Sequence, residues 1–274
     1  IPSIAAVSIR LHFYFEMTFI DVGQGDGIYM ETPEGTTVLI DGGSSDNKKL
    51  YEYTLEPFLL SKGRKKLDAV IVTHCDNDHI SGIRKIFTED NIKVKTLYMP
   101  STTMTDEVYT ELIELAAESG TDIKYIYEGY SMTEKDFYMY CLHPEYEYDT
   151  SERNDYSTTL YIRYDNFSAL LTGDISGEVE SNILQKYKDF PQVTILKAAH
   201  HGSRFSNTED FIEEFAPQNI VISCGKDNSY GHPHRETIER FENKGIPWLT
   251  TMENGAITVI VNKNNTEINT YLDK

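Results

Sequence analysis

Four residues able to bind a divalent cation, His74, Asp76, Asp78 and His79, fall within the six positions His74-Cys75-Asp76-Asn77-Asp78-His79. They directly follow residues 67–73, an apolar run that reads as a buried strand. A loop leaving a strand end can aim all four at one point. Imidazole and carboxylate ligands suit zinc, manganese or iron, and several carboxylate oxygens shift preference towards harder ions such as manganese. A two-metal site needs about six to eight protein ligands, one of them commonly bridging. The missing ones should lie at later strand ends. His143 follows a strand at 137–142, Asp174 one at 168–172, and His200 one at 193–198. A lone His at a strand end is an ordinary polar residue; the recurrence argues for a site. The competing structural reading of the cluster is an acidic turn, with Asp78 capping a helix that starts near Ile80. Against it, carboxylates and imidazoles packed around Asp78 would repel or stay unpaired without a cation.

The elements that must position these groups follow from periodicity and turn residues. Strands at 13–21, 28–31 and 36–40 are separated by Gly23-Gln24-Gly25-Asp26-Gly27 and by Pro33-Glu34-Gly35. The first turn brings Asp26 towards the cluster; its GxGxG spacing is not the dinucleotide fingerprint. Asp41-Gly42-Gly43 lets backbone approach the cluster closely. Asp26 and Asp41 are therefore expected to support ligating histidines through hydrogen bonds. Helices are expected at 50–62, 80–87, 106–119, 177–187, 208–215 and 235–243. Further strands are expected at 94–99, 123–127, 158–164 and 220–223, and through the closing stretch 248–272. Each half starts with hairpins and continues with alternating strands and helices. That predicts an α/β sandwich of two sheets with helices outside, formed by residues 1–274 as one domain.

Bulk properties narrow the function. With 25 Lys+Arg against 44 Asp+Glu, the formal charge is −19. Such a surface argues against a broad DNA-coating face, because phosphate neutralisation needs Lys and Arg. It permits a small phosphate site where divalent cations reverse the local field, with a narrow cationic path beside it. Cys75, Cys141 and Cys224 are few and unclustered, so neither a disulfide framework nor a thiolate zinc site is expected. Cys75 should pack rather than react. No apolar run reaches membrane-spanning length. The start, without Met or a cleavage site, reads as a boundary inside a longer protein.

Thr73-His74-Cys75-Asp76-Asn77-Asp78-His79 resembles the metallo-β-lactamase superfamily motif, with Asp76 where many members have His. Phe19-Ile20-Asp21-Val22-Gly23-Gln24-Gly25-Asp26, Leu39-Ile40-Asp41-Gly42-Gly43 and Leu171-Thr172-Gly173-Asp174 extend the likeness. So do Lys197-Ala198-Ala199-His200-His201-Gly202-Ser203 and Asn228-Ser229-Tyr230-Gly231-His232-Pro233. In this order, over residues 17–261, they resemble the C-terminal domain of the ComEC family of DNA-uptake competence proteins. The resemblance implies a four-layer αββα sandwich of two mixed sheets. It implies two divalent metal ions, zinc or manganese. His74, Asp76 and His143 would surround one, Asp78, His79 and His200 the other, with Asp174 bridging. His201 would contact substrate or supporting groups, and Asp78, His201 and His232 would take part in catalysis. His232 would contact phosphate or protonate the leaving oxygen, and Ser203 would hydrogen-bond substrate. Lys197 would either touch phosphate or be a solvated strand residue. Asn154 and Ser157 would secure the loop after His143. The implied activity is a phosphodiesterase or nuclease degrading DNA during competence-related uptake. The implied setting is a bacterial cell-membrane protein, with this soluble part on the extracytoplasmic side, linked to a membrane channel domain and needing no membrane contact of its own. The alternatives are a hydrolase of a small phosphodiester or lactone, and a non-catalytic metal-stabilised DNA-binding module.

Overall fold

The computed structural model describes residues 14–89, 91–263 and 265–272. The chain opens with three short strands, β1 (Phe15–Phe19), β2 (Ile28–Glu31) and β3 (Thr37–Ile40). A π-helical turn (Tyr51–Leu55) leads into α1 (Glu56–Ser61), followed by β4 (Lys66–Ile71), α2 (Asn77–Glu89), β5 (Lys93–Pro100), α3 (Glu107–Glu118) and β6 (Asp122–Ile126). The second half contains β7 (Ser131–Glu134), β8 (Phe137–His143), β9 (Thr159–Tyr164), β10 (Phe167–Leu171), α4 (Gly177–Lys186), β11 (Ile195–Lys197), α5 (Glu209–Phe215), β12 (Asn219–Ile222) and α6 (Arg235–Asn243). It closes with β13 (Trp248–Thr250), α7 (Thr251–Asn254), β14 (Ile257–Asn262) and β15 (Asn265–Thr270).

One sheet has the order β15-β14-β1-β2-β3-β4-β5-β6, the other β13-β12-β11-β10-β9-β8-β7. Both are mixed. β3 to β6 run parallel, as do β10 to β13, whereas the hairpin strands of each half pair antiparallel. Period-two alternation sends Phe15, Met17 and Phe19 into the space between the sheets, where they meet Met139, Ile162 and Leu171. A second apolar layer joins Val70 and Leu97 to Ile83 of α2 and Leu112 of α3. A third joins Leu170 and Ile220 to Val179, Phe211 and Phe241 of α4, α5 and α6. Helix, sheet, sheet, helix is the four-layer sandwich expected, and it explains why β1 to β3 are buried on both faces.

The parallel strands fix where chemistry can sit. Their carboxyl ends collect at one edge, where α/β folds open a crevice. Boundaries differ from expectation in three places. α2 begins at Asn77 rather than near Ile80, so Asp78 and His79 occupy its first turn. α7 interrupts the closing strands, with Thr250 Oγ1 accepting from Glu253 N. The edge strand β7, exposed and polar, carries too weak an apolar signal to be expected.

Candidate metal centre

Asp41 is the anchor of the site. At the end of β3 it is buried, and its carboxylate accepts from Thr73 N (2.8 Å), Thr73 Oγ1 (2.7 Å) and His79 Nδ1 (2.8 Å). Because Thr73 spends its hydroxyl proton on Asp41, its oxygen accepts from His74 Nδ1 (3.1 Å). His201 Nδ1 donates to the carbonyl of Ser223 (2.9 Å), at the end of β12. With Nδ1 committed to a protein acceptor in all three rings, Nε2 is the nitrogen left to hold either a proton or a cation. The Nε2 atoms of His74, His79 and His201 are each buried without a hydrogen-bond partner.

Those Nε2 atoms face carboxylates. Asp174, at the end of β10, places Oδ2 3.3 Å from His79 Nε2 and 3.2 Å from His201 Nε2. Asp78 Oδ2 lies 3.5 Å from His201 Nε2. Ligand atoms of His74, His79 and Asp174 all lie within 4.8 Å of one another, as do those of Asp78, His79 and His201. Asp76 is more open: Oδ2 is 3.7 Å from His74 Nε2, while Oδ1 meets Arg153 Nη1 at 3.0 Å. Arg153 also binds Asp106, the N-cap of α3.

Charge in this cluster is tightly balanced. Burial disfavours an imidazolium at His201, but Asp174 and Asp78 outweigh it and hold the pKa near 10. Burial disfavours the Asp78 carboxylate, and His201 and His79 more than offset that, leaving it at about 2. The same groups that hold protons between them would hold a divalent cation, whose double charge serves two carboxylates at once.

Backbone geometry brings the pieces together. Asp26 N donates to Asp78 O, Gly43 N to Asp26 O, and Gly42 N to His79 O. The loops can lie this close only without side chains: a Cβ on Gly43 would sit 2.5 Å from His79 N and from Asp78 C. Asp41, His200 and His201 adopt left-handed conformations (φ 55°, 50° and 54°), strain of the kind that accompanies functional sites. Gly43→Ala is therefore expected to destabilise the protein by about 1–3 kcal/mol through overpacking. That corresponds to a melting-temperature drop of roughly 3–10 °C, readable in a thermal melt; an unchanged melt would mean the two loops are not pressed together.

The structure brings together His74, Asp76, Asp78, His79 and Asp174, with Asp41 supporting His79 beneath them; Asp26, expected to hydrogen-bond a ligating histidine, instead pairs with Lys197 and stays 3.8 Å from His79 Nδ1 and from His201 Nδ1. His143 is not brought there. β8 lies two strands from β10, about 10 Å across the sheet, and His143 Nε2 donates instead to Asp155 O (2.6 Å). Its ring packs edge-on against Tyr148 in a separate cavity beside Lys186, and burial lowers its pKa to about 4. The choice between His200 and His201 also reverses: His201 is buried in the cluster, while His200 is a third exposed with Nε2 3.9 Å from Asp174. Ser203 Oγ accepts from Phe205 N, as a turn hydroxyl does, and lies off the cavity lining. Lys197 is neither solvated nor facing substrate; it is buried, with Nζ 2.6 Å from Asp26 Oδ2 and 3.1 Å from Gly173 O.

A cavity of about 90 Å³ opens over the cluster, lined by Asp76, Asp78, Asp174, His200, His201 and His232, and also by Gln24, Asn154 and Tyr230. Gln24 Oε1 accepts from Gly225 N, and its buried Nε2 has no partner. Asn154 sits in a turn of 3-10 helix between β8 and β9, and Ser157 Oγ just beyond it accepts from Asp174 N. The sequence reading has Asn154 and Ser157 only securing the loop after His143, and does not place Asn154 at the cavity. Nothing in the composition marked Gln24. His232 is held by Asn228, which accepts from His232 N and donates to His232 O. Burial and the neighbouring histidines lower the His232 pKa to about 4.

A two-sheet sandwich with His and Asp gathered at the carboxyl edge defines a class. Residues 20–112 match the model of the Metallo-beta-lactamase superfamily, and the chain carries a metallo-β-lactamase domain. The fold is shared with the metallo-beta-lactamase fold protein YhfI from Bacillus subtilis (TM-score 0.55, 13% identity, covering 86% of this chain and 95% of that one). Among named relatives, the chain is similar to ComE operon protein 3 of Bacillus subtilis (strain 168), with 34% identity over 255 residues, 88% of this chain and 32% of that protein. It is also similar to Competence protein ComA of Neisseria gonorrhoeae, with 26% identity over 241 residues, 88% of this chain and 31% of that protein. The chain spans about a third of the length of these curated relatives. Among the described residues, no helix is long and apolar enough to cross a membrane.

Proposed function

We propose that this chain is a binuclear metal-dependent phosphodiesterase that cleaves DNA in competence-related uptake, as one domain, spanning residues 1–274, of a longer membrane protein. In that setting it would lie on the extracytoplasmic side, linked to a membrane channel domain. The observation that carries the hydrolase reading is the convergence of three buried, unpartnered Nε2 atoms on Asp174 and Asp78. The relatives' competence names support the DNA setting.

His79, His201, Asp78 and Asp174 would hold one cation, zinc or manganese. His74, Asp76 and Asp174 would hold the second, with Asn154 where the expected histidine is missing. Divalent cations so held supply an acidified water and charge stabilisation at a phosphoryl group. The chain's own groups do the rest. Asp41 and Ser223 O fix the ring orientations of His79 and His201. Arg153 fixes one Asp76 oxygen, leaving the other towards His74. Gln24 lines the cavity, and its unpartnered Nε2 would donate to a phosphoryl oxygen, since Gly225 N already occupies its carbonyl. His232 is uncharged at neutral pH, so it suits phosphate contact better than prompt proton delivery.

Among the described residues lining the cavity, none is Lys or Arg, so the cationic path expected beside the site is not in its lining. The small cavity gives the small-phosphodiester reading its one support. An assay separates the readings: metal-loaded protein with manganese or zinc, on single- and double-stranded oligonucleotides and on a bis-aryl phosphate. The proposal expects metal-dependent oligonucleotide cleavage that chelation abolishes. Turnover of the aryl ester alone would favour the small substrate, and a loaded protein that cleaves no ester would overturn the hydrolase reading.

A further inference from the structure

We infer that Tyr230 is a nucleobase-stacking residue, and that the substrate strand enters with the base beside the scissile phosphate unstacked, as in single-stranded nucleic acid. The inference rests on the phosphodiesterase reading and adds the source of substrate affinity.

The cavity over the cluster has room for about three waters. That is the size of a phosphate group, not of a nucleoside, so sugar and base must lie outside on the rim. Tyr230 is on that rim: it lines the cavity and is 55% exposed. Its ring stacks on His232 with centroids 5.7 Å apart and planes inclined by 18°. The loop is pinned, not loose. Asn228 accepts from Tyr230 N (3.2 Å) and His232 N (3.0 Å) and donates to Gly225 O (2.9 Å) and His232 O (2.6 Å). One Tyr230 face is spent on His232, and a planar ring laid on the other would extend the stack.

Charge makes the same point from the opposite side. The cavity lining holds Asp76, Asp78 and Asp174 with no Lys or Arg among its described residues, on a chain of net charge −19. Bound cations can serve the scissile phosphate, but Arg153, the cation beside the cavity, is already shared between Asp76 and Asp106, and the described lining offers no other. Affinity for a polynucleotide must then come from the bases, and aromatic stacking is the sequence-tolerant way to obtain it. A duplex keeps its base faces buried in its own stack and offers Tyr230 nothing.

The test compares wild type, Tyr230→Ala and Tyr230→Trp. The first readout is KM for a single-stranded oligonucleotide and for the same strand carrying abasic sites. Wild type should prefer the base-bearing strand by about tenfold or more, Tyr230→Ala should lose most of that preference, and Tyr230→Trp should keep it. KM of wild type should also depend weakly on salt, with a slope of about one or two phosphates. A preference that survives in Tyr230→Ala, or an equal preference for duplex, overturns the inference. The second readout needs no turnover: a single strand containing 2-aminopurine, titrated into manganese-loaded protein, should be quenched by wild type and Tyr230→Trp but not by Tyr230→Ala. Quenching without cleavage would sink the hydrolase reading and leave stacking standing. Cleavage without Tyr230-dependent quenching would do the reverse.

Discussion

His201→Ala is expected to strip a divalent cation from the protein, and His143→Ala is not. His201 Nε2 is buried, unpartnered and 3.2 Å from Asp174, and Ser223 O already holds the opposite ring nitrogen. His143 uses Nε2 on Asp155 O and belongs to another cavity. Losing a carboxylate that orients a ligating histidine typically costs about 10–100-fold in metal affinity. Asp41→Ala should fall in that range, because Asp41 orients His79 and, through Thr73, His74. His201→Ala should exceed it, and His200→Ala should stay below it. Elemental analysis with a competition titration against a coloured chelator gives the order directly. Metal lost from His143→Ala and kept by His201→Ala would reverse the ligand assignment made from geometry.

The two histidines show which parts of the site were legible in sequence. Ligand types at strand ends are visible because the apolar run before them is visible; that found His74, Asp174 and the His200-His201 pair. Which member of the pair points inwards depends on two successive left-handed residues, a backbone choice with no trace in residue type. His143 passed the same strand-end criterion, and β8 does end at that edge. Its distance from β10 is set by the intervening β9, and sheet order is a long-range property. Gly43 was legible as a close-approach residue, because only glycine tolerates backbone pressed this near; that Gly25 is packed against Asp78 O and Gly43 O in the same way was not. The helix start was misplaced because Asp76, at the foot of α2, has its carbonyl accept from His79 N and Ile80 N: the ligand motif is itself the first helical turn.

Lys197 illustrates a residue whose sequence context pointed the wrong way, and its replacement should have the largest effect on folding. On a short strand beside the site, a lysine suggests either solvent or substrate. The structure buries it between the sheets and the cluster, with Asp26 Oδ2 at 2.6 Å, Gly173 O at 3.1 Å and Asp174 Oδ1 at 3.8 Å. Burial pulls its pKa down, but Asp26 and then Asp174 more than offset this, so the ammonium stays charged. It is a built-in cation on the far side of the cluster from the cavity, and it neutralises Asp26 whether or not a metal is bound. Lys197→Met keeps volume and removes the charge, leaving a buried Asp26 uncompensated. Breaking such a pair from one side costs about 3–5 kcal/mol, or roughly 10 °C in melting temperature for a chain of this size. Removing both charges, as in Lys197→Met with Asp26→Leu, should recover much of the loss, because an apolar pair of similar volume carries no desolvation debt. Thermal melts of the metal-loaded wild type and these two variants therefore separate two roles. Recovery in the double variant means that Lys197 acts through Asp26. A double variant as unstable as Lys197→Met would mean that its contacts with Gly173 O and Asp174 dominate, and that the lysine acts chiefly on the carboxylate at the centre of the cluster.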